Sequence, residues 1–373
     1  MMETNNSDRI FGLDLMRAAA IVMVVLSHCL WIFPAQSGII SQLASLLVFF
    51  GVEIFFVLSG FLIGRILYRL WMKDDFAVSS VMYFLKRRWF RTLPNYFLIL
   101  VVNVAMAIWI GYPIENGWKY LVFLQNFASP MPAFFPESWS LSVEEFAYVF
   151  LPVALLCFGL LLRQSVKKVF FPIVVFLLVL LSVCAKIIYH YNTENTTLGQ
   201  WNVSLKAVVI YRFDSIFIGV LFAWISIVFA DFWKKARLLF AIFGMFLLIF
   251  FTAGVGFLRL LIDSHPFFWN VMYLPMASVS IAFFLPILSG WKTAYSAIKK
   301  PVTFISLISY SIYLLHYSVI LQTMKQIVTT QNPIYLLAFV VTYLSVTILL
   351  SWLLYRFYEK PMTDKRDKAN PTA

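Results

Sequence analysis

Residues 13–33 read LDLMRAAAIVMVVLSHCLWIF, an apolar run broken only by Asp14, Arg17 and His28 among its ionisable residues. A bilayer-spanning helix needs about 20 such residues. Arg17 and His28 stand eleven steps of about 100° apart, three turns plus about 20°, so on a helix both side chains share one face, roughly 16 Å apart along the axis. Ionisable groups at membrane depth cost about 3 kcal/mol or more and are retained where they face a polar interior, which makes them candidates for function. An arginine that snorkels from a helix end and a histidine bonded to a neighbouring helix account for the same pattern without chemistry.

The rest of the chain has the same character. It has 373 residues, 62% hydrophobic, 18% aromatic and 12% charged, where soluble domains carry about a quarter charged residues. Composition therefore specifies an all-α, polytopic membrane bundle, with about ten transmembrane helices expected near 12–33, 46–70, 93–111, 139–162, 169–189, 207–230, 238–258, 268–289, 302–324 and 334–356. No polar stretch is long enough for a separate soluble domain. The organisation expected is a tail over 1–11, a membrane domain over 12–357 and a basic tail over 358–373.

Charge orients the bundle. With the N-terminus inside, most of the 29 Lys and Arg fall on the cytoplasmic side: Arg9, the stretch Arg65 to Arg91, Arg163 with Lys167 and Lys168, Lys234 to Arg237, Lys292 to Lys300, and the tail from Arg356. Outer loops hold only Lys119, Lys206, Arg259 and Lys325. This satisfies the positive-inside rule with both termini cytoplasmic. The net charge of +12 follows from that signal and from attraction to anionic headgroups, so it argues for membrane lipids as partners and against nucleic acid. The first run is long enough to span, carries Arg17 and lacks a small-residue cleavage site, so it is expected to stay as the first helix.

Cys29, Cys157 and Cys184 lie in apolar runs at unrelated spacings, which fits neither a disulfide framework nor a metal site and suits small core residues. No two of the four histidines have the spacing of a helical metal site, so no metal is expected. No internal repeat of the transporter kind is evident.

Polar groups inside the apolar runs carry the functional signal. In Lys86-Arg87-Arg88-Trp89-Phe90-Arg91, at the mouth of the third helix, Arg87 or Arg88 can share a face with Arg91. Guanidinium forks capture phosphate oxygens, so this cluster suits a phosphorylated donor; an anchor on lipid headgroups accounts for the same charges. In SWSLSVEEFAYVFLP, residues 138–152, Glu144 and Glu145 cannot both face lipid, and at least one should point inward to pair with an arginine, orient a histidine or relay a proton. An ion pair between helices is the alternative. Arg212 and Asp214 in YRFD offer partners of either sign, and Asp14, Glu53 and His316 complete the intramembrane ionisable set. Ser59 beside Gly60 fits close helix packing better than a nucleophile.

These segments, in this order, resemble the acyltransferase-3 family of integral membrane acyltransferases, which O-acylate cell-envelope glycans and related molecules. The resemblance rests on GLDLMRAAAIVMVVLSH, FFVLSGFLI, Arg87-Arg88 with Arg91, SWSLSVEEFAYVFLP, YRFDSIFIGVL and SYSIYLLH, and covers nearly the whole chain. It implies His28 as catalytic histidine, Arg17 as its companion, and Arg17, Arg87, Arg88 and Arg91 as the donor-binding set. Ala18 departs from the glycine common after that arginine. An extracytoplasmic hydrolase-like domain, which some members carry after the last helix, is not seen; the expectation is that the membrane part completes the transfer or hands the acyl group on.

The resemblance further implies a bacterial plasma-membrane location, an acyl-CoA donor, usually acetyl-CoA, from the cytoplasm, and a glycan or lipid-linked saccharide acceptor near the outer face. The expected chemistry has His28 take the proton of the acceptor hydroxyl, with Glu144 or Glu145 orienting or recharging it. An acyl-histidine intermediate is the competing route. The other function class compatible with buried charge is a proton-coupled transporter or flippase of a lipid-linked glycan.

Overall fold

The computed structural model describes residues 9–33, 38–159, 164–194, 197–328 and 332–368; among them the regular structure is helical and no strand occurs. Residues 1–8 and 369–373 of the expected tails, and Arg163 of the expected charge pattern, lie outside the described residues. The helices are α1 (Phe11–Ile32), α2 (Ile40–Trp71), α3 (Val78–Ile110), α4 (Ser138–Gly159), α5 (Val166–Asn192), α6 (Phe213–Val228), α7 (Arg237–Phe257), α8 (Phe268–Gly290), α9 (Ser296–Ile327) and α10 (Ile334–Lys365). All but α6 are long and apolar enough to cross a membrane, nine among the described residues. The chain is a multi-pass helical membrane protein.

Several boundaries differ from hydropathy, and two of the shifts, in α6 and α3, have clear physical reasons. Helix α6 has only 16 residues, because the chain before it folds as a π turn over Asn202–Lys206 and a 3-10 turn over Val209–Tyr211. Helix α3 begins at Val78, so the basic cluster lies inside it, and Pro94 is carried within the helix. The start expected at residue 93 followed the onset of the apolar run; charged residues with good helix propensity extend the same helix to its N-terminal side.

Glycine decides the closest packing. Gly60 and Gly64 of α2 face Gly219 and Ala223 of α6; a Cβ on Gly60 would strike the Ile216 carbonyl, and one on Gly219 the Val57 carbonyl. Small residues four apart on both helices let the backbones approach, the packing available where lipid gives helices no hydrophobic reason to associate. Beside this seam Glu53 of α2 is ion-paired with Arg212, and Lys186 of α5 with Asp214, all four side chains being buried. The Arg212 guanidinium stands 5.4 Å from the Phe56 ring centre. The Ser278 hydroxyl of α8 lies 2.9 Å from Glu53 Oε2. Glu53, Arg212 and Asp214 thus brace α2, α5, α6 and α8 against one another.

The start of α1 is held by backbone groups: the Gly12 N–H donates to the Trp291 carbonyl at 2.9 Å and that of Phe11 to the Lys292 carbonyl at 3.2 Å. Two of the unpaired N–H groups of a helix start are satisfied in this way. Of the three cysteines only Cys29 is a core residue; Cys157 and Cys184 are exposed on the outward face of the bundle, where the surrounding medium is as apolar as a core.

Replacing Gly219 with leucine should force α2 and α6 apart, costing about 1–3 kcal/mol or more as overpacking does. In detergent-solubilised protein this is expected as a clear drop in the midpoint of thermal unfolding; an unchanged midpoint would contradict the close α2–α6 approach.

Candidate active site

Arg17 and His28 both point at α9. At one end of the seam the Asp14 carboxylate receives Arg9 through two bonds, Nε at 2.9 Å and Nη2 at 2.5 Å, and the Ser306 hydroxyl of α9 at 2.9 Å. Arg17 Nη1 lies 3.9 Å from the same carboxylate and 3.5 Å from Ser306 Oγ. At the other end His28 Nδ1 is 2.8 Å from Nε2 of His316. The rings stack with centroids 5.0 Å apart, and Trp31 and Tyr317 pack on His28 at 5.3 and 4.8 Å. His316 is fully buried, whereas His28 is partly exposed.

His316 owes its position to a break in helix regularity. A π turn runs from His316 to Leu321. Such turns disturb the i→i−4 ladder and are frequent at functional sites. Here His316 Nδ1 lies 2.8 Å from the Tyr313 carbonyl and 3.1 Å from that of Ile312.

Between α1, α2, α3, α4 and α9 lies a cavity with room for water over about 100 Å³, lined by Arg17, Arg88, Arg91, Ser59, Glu144 and Tyr148 among others. A buried site needs only about 10–15 Å³ per water, so the cavity has room for several. Three guanidinium groups thus converge on one pocket inside the bundle. Arg88 stacks over the Tyr148 ring at 4.9 Å, and the Tyr148 hydroxyl donates to Glu144 at 2.9 Å while also contacting the Ser59 hydroxyl. Ser59 is therefore a polar lining group, and the close packing falls to its neighbour Gly60.

Tyr313 and Phe55 also line this cavity, and Tyr313 lies 5.9 Å from the ring centre of His316. The lining holds Arg17 but not His28: although the two share a helix face, the cavity ends at Tyr313, which backs onto the histidine pair. The Tyr313 hydroxyl contacts Ser140 Oγ at 2.6 Å and lies 3.1 Å from the Glu137 carbonyl.

Of the cluster in α3, Arg88 and Arg91 reach the cavity and Arg87 does not. The α3 geometry turns Arg87 outward, where it donates to the Tyr83 hydroxyl at 2.8 Å. Glu144 and Glu145 both point into the protein, in different directions: Glu145 accepts from Thr92 Oγ1 at 2.8 Å. Neither meets His28. They lie two turns along α4 from the residue that faces the histidine end, about 10 Å by helix rise. The expected Glu–His28 partnership is thereby replaced by His28–His316.

The carboxylate at the histidine end is Glu137, which sequence reading passed over. Its Oε1 accepts from the Ser318 N–H at 3.1 Å and the Ser318 hydroxyl at 2.5 Å, while Oε2 is buried without a partner. Burial pushes the Glu137 carboxyl up to about 7. Lys206, expected in an outer loop, is folded inward with its ammonium 5.8 Å from the Phe49 ring centre and 5.7 Å from that of Trp139. Burial lowers it to about 8, with Arg212 contributing, and it lies within electrostatic reach of His28. Glu359 of α10, also missed, accepts from Asn95 at 2.9 Å and Ser311 at 2.6 Å. Its carboxylate offsets the nearby Arg17 and Arg91. The only sequence signal for these three was a charge flanking an apolar run, which is also how topology determinants look.

Among the described residues no group of His, Cys, Asp and Glu could hold a metal ion.

The acyltransferase-3 family, described as an acyltransferase domain, matches residues 10–356. The chain belongs to this family. It is 26% identical over 376 residues to "Peptidoglycan O-acetyltransferase OatA" of Listeria monocytogenes, an alignment covering 94% of this chain and 55% of that protein. It is 24% identical over 389 residues to "O-acetyltransferase OatA" of Staphylococcus aureus strain NCTC 8325, covering 96% of this chain and 58% of that protein. The chain therefore spans little more than half the length of these relatives. No solved structure matches it.

Glu137 makes the site pH-sensitive with a definite sign. A carboxyl raised from 4.5 to about 7 binds a proton in the folded state that the unfolded chain lacks in that window, so stability falls as pH rises through it. Glu137→Gln keeps an acceptor for Ser318 and removes the charge. It is expected to unfold at a higher temperature than the parent at about pH 8, with the gap closing near pH 4.5; an equal or lower midpoint at pH 8 would contradict a penalised carboxylate.

Proposed function

We propose that this protein is a membrane O-acyltransferase that moves an acyl group, acetyl foremost, from cytoplasmic acyl-CoA to a hydroxyl of a cell-envelope glycan. One observation carries the reading: Arg17, Arg88 and Arg91 converge on a single cavity, and its Tyr313 wall packs against the His316 that bonds His28. In this reading both termini face the cytoplasm, the protein lies in the bacterial plasma membrane, and the arginine end opens inward.

Phosphates of coenzyme A suit the arginines, since guanidinium forks match phosphate oxygens and charge-assisted bonds are strong. Each contact of this kind is worth about 1.5–3 kcal/mol. The thioester would then pass Tyr313 and Phe55 toward His28. Ser59, Tyr148 and Glu144, with hydroxyl and carboxylate oxygens, complete the polar wall opposite the guanidinium groups.

The acceptor side has its own supporting geometry. Tyr317, packed on His28, also lines an open groove of about 320 Å³ with Trp109, Tyr112, Asn103, Gln322 and Gln326. Aromatic faces and amides without a charged residue in the lining suit a neutral, hydroxyl-rich ligand. The names of both relatives point the same way, to O-acetyl transfer and, in the Listeria protein, to peptidoglycan.

In the step itself an acceptor O–H gives its proton to the His28 imidazole as the oxygen attacks the thioester carbonyl. The carbon–sulfur bond breaks, the thiolate recovers the proton from the imidazolium, and an ester and free coenzyme A result. Arg17 and its neighbours hold the donor while this occurs, and their contribution is to binding and orientation.

The test uses purified protein with acetyl-CoA and a peptidoglycan fragment, following thiol release and acetyl incorporation together. His28→Ala should lower turnover by about 10²- to 10⁴-fold, the usual contribution of a general base. Arg88→Ala and Arg91→Ala should chiefly raise the donor KM, by about 10-fold or more. Full acetyl transfer by His28→Ala, or transport of the glycan with no thioester loss, would overturn the assignment.

A further inference from the structure

The hydrogen bonds around His316 determine which nitrogen of His28 carries a proton. His316 Nδ1 lies 2.8 Å from one backbone carbonyl oxygen and 3.1 Å from another. A carbonyl can only accept, so this nitrogen must hold a hydrogen. In a neutral imidazole the other ring nitrogen is then bare. Nε2 of His316 is therefore an acceptor, and the atom 2.8 Å from it is Nδ1 of His28. That atom must donate. The hydrogen of neutral His28 is accordingly fixed on Nδ1, and its Nε2 is left with a free lone pair.

We infer that His316 is a positioning residue which selects, through the chain Tyr313 carbonyl, His316, His28, the His28 form whose Nε2 is the free base. The inference rests on the reading of His28 as catalytic base. It gives His316 the office that an orienting carboxylate holds in a nucleophile–base–orienter triad, filled here by a neutral ring. The two carbonyl bonds at Nδ1 and the burial of its ring hold His316 in this orientation. Ring packing by Trp31 and Tyr317 on His28 leaves the imidazole little freedom to flip and exchange its two nitrogens.

Proton accounting is closed within the pair. When the acceptor hydroxyl loses its proton to Nε2, His28 becomes an imidazolium that still donates from Nδ1 to His316, and the departing thiolate takes the Nε2 proton back. His316 ends the cycle as it began. No third titrating group is required, in keeping with Glu144 and Glu145 being bonded to Tyr148 and Thr92 instead.

The test is nitrogen-15 NMR of histidine-labelled full-length protein in detergent micelles at about pH 8, with the His28 signals identified by their loss in His28→Ala. The parent should show His28 protonated at Nδ1 and bare at Nε2. His316→Leu removes the acceptor and should shift His28 toward protonation at Nε2, the form free imidazole side chains favour in water. It should lower kcat by about 10²-fold or more, with the donor KM little changed. His316→Gln, whose amide oxygen can accept the same bond, should restore part of both the Nδ1-protonated signal and the rate. Thermal midpoints of the two variants separate this from loss of fold. A parent His28 protonated at Nε2, or leucine and glutamine variants that are equally slow with equal midpoints, overturns the inference. Activity retained by His28→Ala would instead strike at the catalytic reading while the NMR result stood.

Discussion

A charge or an imidazole inside an apolar bundle finds no water to bond, so its partner must come from another helix, and that demand organises this molecule. It is clearest along the line where α1 meets α9. Asp14 and Arg17 meet Ser306 at one end, and His28 meets His316 at the other. Two polar contacts on one helix face, about 16 Å apart by helix rise, fix both the axial register and the rotation of α1 against α9. A slip of one residue would turn the set of groups by about 100° and leave them unpaired.

The same demand separates structural charges from those available for chemistry. Glu53, Arg212, Lys186 and Asp214 are consumed in pairs deep in the bundle. Removing one partner of such a pair leaves a buried charge uncompensated, which costs several kcal/mol. These pairs sit beside the glycine seam of α2 and α6, where close backbone approach excludes any ligand. Arg17, Arg88 and Arg91 instead border open volume. Their counter-charges, Glu144 and Glu359, reach them from α4 and α10, which lets three like charges share one pocket.

Between the arginine cavity and the histidine pair stands Tyr313, held by Ser140 and the Glu137 carbonyl. In the proposed reading, donor recognition and proton transfer fall on opposite sides of this aromatic wall. The groove on the far side of Tyr317 adds a third compartment, the one proposed for the acceptor. In the proposed reading His28 is approached from both sides, through Tyr313 and through Tyr317.

Much of this was legible in the chain alone. Apolar runs of spanning length set the helical bundle, because a backbone in lipid must bond to itself; the eleven-residue interval set Arg17 and His28 on one face, because helix pitch is constant. Gly60 announced close packing through its size. Pairing across helices was beyond reach, since it depends on which helices become neighbours and how each is rotated. Thus Arg88 and Arg91 enter the cavity while Arg87 turns out, Glu144 and Glu145 diverge, Glu137 takes the place at the histidine end, and Lys206 folds in from a loop. The residues themselves supplied the ionisable groups and their spacing along each helix; only the three-dimensional arrangement chose their partners, because a hydrogen bond is made at about 3 Å through space, whatever the distance along the chain.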